Sequence, residues 1–134
     1  MKSLLILGRQ PALGLAELES LYGSGALRPI GRQAVFLDID PKDVAFAHLG
    51  GSIKLARVLN IIDSTKWHDI ETYLGKTIPE HLQYVPEGSK LKLGLSVYDL
   101  HVRASDINVT GLRLKKIIKA EGRSVRIFPN KFPE

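Results

Sequence analysis

The chain has 134 residues, which suits one ordinary domain or two very small ones, and its 44% hydrophobic and 25% charged residues are a folding rather than a disordered composition. Zero cysteines exclude disulfides, thiol nucleophiles and cysteine-ligated metals, and fit a reducing, cytoplasmic setting. The net charge of +5 is unevenly spread: residues 90–134 carry ten Lys and Arg against four Asp and Glu, a net of +6, and residues 1–89 carry nine against ten, a net of −1.

No apolar run approaches the ~20 residues that cross a bilayer. The opening LLIL after Lys2 is cut off by Gly8-Arg9-Gln10-Pro11, which is too soon for a signal peptide. Residues 3–7 read as a strand that Pro11 breaks. Leu15, Leu18, Leu21 and Tyr22 then fall at helical spacing, with Gly14 at the expected N-cap, Glu17 at N3, and Gly23 and Gly25 as the stop. Residues 28–33 and 34–40 predict a hairpin. Asp40-Pro41 is the strongest helix start in the chain, a capping side chain followed by a residue with φ already set, and Gly50-Gly51 close that short helix. Residues 53–62, IKLARVLNII, read as a strand. The order β-α-β-β-α-β predicts a ferredoxin-like domain over residues 1–63.

A second unit, residues 64–134, starts with a helix capped by Ser64, with Trp67, Ile70, Tyr73 and Leu74 on its inner face. Gly75 is expected to interrupt it, and Thr77-Ile78-Pro79-Glu80 to restart it. Leu91, Leu93, Leu95 and Val97 alternate with Lys90, Lys92, Gly94 and Ser96, giving a strand with one apolar and one basic face. A helix starting between Ser105 and Thr110 carries Ile107, Leu114, Ile117 and Ile118 inward, and Gly122 ends it. Val125 and Ile127 open a further strand, so the unit is a parallel strand–helix–strand. The fold class is therefore α/β in the broad sense (α+β).

Lys115, Lys116, Lys119 and Arg123, with Arg113 and Arg126 nearby, are candidate phosphate contacts; Lys90, Lys92, Arg103 and Lys131 extend them. Long cationic stems on a rigid helix reach phosphate oxygens whose positions vary, and such contacts position RNA without reading its sequence. Tyr98, Phe128 and Phe132 are the aromatics of this region that can stack on unpaired bases. The four histidines, His48, His68, His81 and His101, share no metal-ligand spacing, and no serine sits on a nucleophile elbow. Glu17 and Glu19 point apart on a helix, Asp38 and Asp40 flank a cap, and neither pair is assigned acid–base work. Gly23-Ser24-Gly25 lacks the strand-before, helix-after setting of a phosphate loop.

MKSLLILGRQPALGLAELESLYG resembles the opening of THUMP-containing tRNA guanine-N2 methyltransferases of the archaeal type and related bacterial RNA methylases. LGLSVYDLHVRASDINVTGLRLKKIIKAEGRSVRIFPNK resembles their THUMP segment. The resemblance implies a ferredoxin-like domain followed by a partial THUMP domain that binds tRNA or another structured RNA. It also implies a catalytic domain, using S-adenosylmethionine, that is not in this chain. The Asp/Asn-Pro-Pro-Tyr type motif and the Gly-rich cofactor loop of such a domain are absent from these 134 residues, so no cofactor is expected here. The ending after residues 125–128 suggests a truncated unit. The rival expectations are a homodimer paired through unpaired sheet edges and, more weakly, a small stand-alone enzyme.

Overall fold

Residues 3–7, SLLIL, are aliphatic enough to be buried on both sides, and they form strand β1 (Ser3–Leu7), an inner strand of a four-stranded sheet. The computed structural model describes residues 2–129 and divides the mixed α/β chain into two units, Met1–Ile61 and Ile62–Glu134.

In the first unit β1 is followed by helix α1 (Pro11–Tyr22) and strands β2 (Leu27–Ile30), β3 (Ala34–Leu37) and β4 (Ser52–Arg57). The sheet order is β2-β3-β1-β4, and every neighbouring pair is antiparallel. The register sets Leu5 opposite Val35 on one side and Leu55 on the other, so one face collects Leu5, Leu7, Val35 and Leu37 around Leu18 of α1. Each fully buried Leu or Val contributes about 1.5–3 kcal/mol.

Three expectations for this unit are corrected. Helix α1 starts at Pro11, not Leu15: proline lacks only an amide that the first turn leaves unbonded anyway, and it stands at N1. Gly14 is consequently inside the helix. The segment after Asp40 is not a helix but two single 3-10 turns, Pro41–Asp43 and Phe46–His48. Asp40 does cap, accepting from the Lys42 amide at 3.0 Å. The helix fails to propagate because Val44 and Leu49 are both drawn into the core in extended conformations, and one capped turn does not offset the cost of nucleation. Strand β4 ends at Arg57 because its partner β1 ends there, Ser3 lying opposite Arg57; the Val58 amide makes a last bond to the Lys2 carbonyl at 3.0 Å.

The second unit holds helix α2 (Trp67–His81), a 3-10 turn (Leu82–Tyr84), strand β5 (Leu91–Gly94), helix α3 (Ala104–Ala120) and strand β6 (Val125–Phe128). Gly75 does not interrupt α2, and Pro79 lies inside it. Ser64 is not its N-cap as expected: the helix begins at Trp67 with Lys66 at the cap position and no side-chain cap bond. The Ser64 hydroxyl instead closes the preceding turn, accepting from the Lys66 amide at 3.2 Å and donating to Asp69 at 2.7 Å. Strands β5 and β6 are parallel, Leu91 to Gly94 lying opposite Val125 to Phe128, and Leu91 and Val125 pack on Ile118 of α3. The alternation of residues 91–97 thus outlasts the ladder, which stops at Gly94. Helix α3 ends in a Schellman turn: Gly122 has φ +82°, its amide bonds the Lys119 carbonyl at 3.0 Å, and the Arg123 amide reaches Ile118 at 3.3 Å. No helix among the described residues is long and apolar enough to cross a membrane.

Candidate nucleic-acid interface

Helix α3 is amphipathic by spacing. Ile107, Thr110, Gly111, Leu114 and Ile118 are its buried positions, three and four apart. Lys115 and Lys119, four apart, stack on one flank, and Lys116 lies about 100° further round the helix. Lys116 and Lys119 are exposed, Lys115 is half-buried, and exposed Leu112 lies between them on the same outer arc. Among the described residues none of the three ammonium groups is in an ion pair.

The remaining candidates divide differently. Arg113 lies on the opposite flank of α3, against α2, where its guanidinium pairs with the half-buried Glu71. The other oxygen of Glu71 accepts from the fully buried Thr110 hydroxyl, which in turn accepts from Trp67 Nε1 at 3.0 Å. Arg113 is thus part of the polar seam that joins the two helices, and Trp67 is half-buried there as a donor rather than as plain core. Arg123 is also engaged: it donates to the Pro86 carbonyl at 3.0 Å and tethers the loop after α2. Arg103 pairs with Asp106 at 3.3 Å across the start of α3, but its side chain is 80% exposed, so the pair is weak and the cation remains reachable.

Lys92 and Arg126 are exposed and lie opposite each other on β5 and β6, on the sheet face away from α3. Lys90 is exposed just before β5. Lys131 and Phe132 lie outside the described residues. Tyr98 is half-buried. The structure therefore sorts the nine described candidates into a lysine trio on α3, a Lys92–Arg126 pair on the other side of the sheet, two arginines engaged in internal contacts, and Lys90 and Arg103 on connecting segments.

At the carboxyl ends of β5 and β6 there is an apolar hollow of about 140 Å³ against α3, lined among others by Leu93, Leu95, Ile107, Leu112 and Ile127, with no charged side chain in its wall. It is not an anion site. Among the described residues no group of three His, Asp or Glu side chains is placed to hold a metal ion.

Sequence reasoning missed one arrangement in the first unit. The Glu17 carboxylate accepts from the Gly50 and Gly51 amides, each at 3.0 Å, and Gly14 lies directly on Gly51. These two bonds, Gly50 first and Gly51 second, hold the Glu17 carboxyl below its ordinary value. The clue in the sequence is a glycine one helical turn before an acid, together with a distant Gly-Gly pair whose amides need an acceptor. Asp40 is lowered as well, by the Lys42 amide and then by Arg57, which it meets at 3.2 Å.

Both carboxylates bind fewer protons in the folded state. Their contribution is complete above the ordinary carboxylate pKa of about 4 and is lost as the pH falls through the lower folded values. The expected result is an acid-labile first unit whose melting temperature drops below about pH 4. Glu17→Gln should melt lower than wild type at pH 7 and lose less on acidification; equal acid slopes in a circular-dichroism melt series would remove Glu17 from this account.

A comparison of the chain with protein-family models, curated proteins and solved structures found no match.

Proposed function

We propose that the chain binds structured RNA, tRNA foremost, and that helix α3 is the landing surface. The observation that carries this is the trio Lys115, Lys116 and Lys119, gathered on the outer arc of one rigid helix with no carboxylate among the described residues to neutralise it. Three cations at fixed spacing on a helix suit consecutive phosphates, and the release of condensed counterions supplies the free energy.

In this proposal the first unit is a ferredoxin-like βαββαβ domain whose second helix has shrunk to two single turns. The antiparallel order β2-β3-β1-β4 supports that assignment. The second unit is a partial THUMP-like RNA-binding domain, supported by its parallel strand–helix–strand. The chain would then present RNA, in the cytoplasm, to a methyltransferase domain using S-adenosylmethionine that lies outside these residues.

Salt dependence tests the proposal. With the trio and Lys90 on phosphates, log affinity for tRNA should fall against log salt with a slope of about −3 to −4. A flat plot would remove phosphate contacts from the mechanism. The second reading, an edge-paired homodimer, is favoured by the two-stranded β5–β6 sheet, in which each strand is paired on one side only among the described residues. Gel filtration separates the two: backbone pairing persists in high salt, and a phosphate-driven complex does not.

A further inference from the structure

The sheet face of β5 and β6 that turns away from α3 carries a second arrangement, distinct from the lysine helix. Side chains alternate along each strand, so Leu91, Leu93, Val125 and Ile127 share the α3 side, and Lys92, Gly94, Arg126 and Phe128 share the other. Neither strand contains an acidic residue. The register sets Lys92 opposite Arg126 and Gly94 opposite Phe128. Phe128 is 47% exposed, and the Arg126 guanidinium carbon lies 5.3 Å from its ring centroid. The position across from the ring is a glycine. Even a Cβ there would come no nearer than 3.9 Å to the Phe128 Cβ, so position 94 itself sets no side chain against the aromatic.

We propose that this face is a stacking platform for unpaired bases of RNA: Phe128 takes the flat of one base, Arg126 extends the platform as a cation against the ring, and Lys92 and Arg126 hold the adjoining backbone. The inference rests on the RNA-binding reading above and deepens it by naming the form of RNA, single strand, that this second surface takes. An aromatic ring accepts any base because every base has a π-face, but it cannot reach bases already stacked inside a duplex. A second copy of the chain is the poorer occupant, because a two-fold, face-to-face pairing sets Lys92 and Arg126 of one copy near the same cations of the other.

The test uses the full chain and two fluorescently labelled RNAs of equal charge, a single-stranded oligonucleotide and a blunt duplex, with binding followed by anisotropy. Phe128→Leu keeps an apolar side chain on the strand and removes the π-face. It should weaken single-strand binding about tenfold and leave duplex binding unchanged, and Phe128→Trp should restore the single-strand affinity. Single-strand affinity unchanged in Phe128→Leu, or equal losses on both RNAs, overturns the platform while leaving the α3 surface standing. Wild-type protein that binds neither RNA overturns both.

Discussion

Replacing Lys115, Lys116 and Lys119 together by glutamate should reduce affinity for structured RNA at least about 500-fold at 0.1 M salt. Counterion release sets this size: a slope of about −0.9 per phosphate contact corresponds to roughly eightfold per contact between 1 M and 0.1 M salt, and three such contacts multiply. Charge reversal adds repulsion from the same phosphates. The fold should survive, because Lys116 and Lys119 are exposed, Lys115 is only half-buried, and the buried positions of α3 are untouched. A filter-binding titration beside a far-ultraviolet circular-dichroism spectrum checks both halves. Arg113→Ala is the instructive contrast. Its guanidinium is held by Glu71 against α2, so its loss should loosen the α2–α3 seam and leave the salt slope of RNA binding where it was.

Gly51→Ala should cost the first unit on the order of 3 kcal/mol, at the upper end of the usual range for overpacking. A Cβ at Gly51 would lie 2.4 Å from the Gly14 Cα, and one at Gly14 would lie 2.6 Å from the Gly51 carbonyl oxygen; both obstacles are backbone and cannot rotate aside. Helix α1 would have to lift from the Gly50–Gly51 turn, and the same movement would pull Glu17 off the two amides it satisfies. A unit of about sixty residues has roughly 3–9 kcal/mol in total, so the substitution takes a large fraction of its stability. Chemical denaturation followed by circular dichroism gives the midpoint, and a midpoint equal to wild type would show that the contact is looser than its geometry.

Much of the architecture could be read from local signals. The apolar run of β1, the alternation through Leu91 and Leu93, the spacing of Ile107, Leu114 and Ile118, and the stop at Gly122 each follow from a period or a turn residue, and each is where its pattern puts it. The errors arise where one residue type has two uses. Proline after a strand can break a segment or start a helix; the local pattern favours a break at Pro11 and a start at Pro41, yet the long helix opens at Pro11 and Pro41 begins only a single 3-10 turn. The lysine trio is legible because Lys119 follows Lys115 by four residues and Lys116 by three on one helix. The capture of Arg113 by Glu71 was not, since 42 residues separate them and only the packing of α2 on α3 brings them together. The separation of Lys92 from the helix lysines follows from the alternation of its strand, but its place directly opposite Arg126 needs the register of β5 on β6, which strand periodicity alone does not supply.

That division has a geometric consequence. The α3 lysines and the Lys92–Arg126 row belong to opposite layers of the second unit, so a straight, rigid rod lying along one is out of reach of the other. An RNA that engages both has to change direction at the rim between them, as a molecule does where a paired stem gives way to loose strand. If both surfaces hold RNA as proposed, the unit would register the place where base pairing stops, with no need to know which bases were paired.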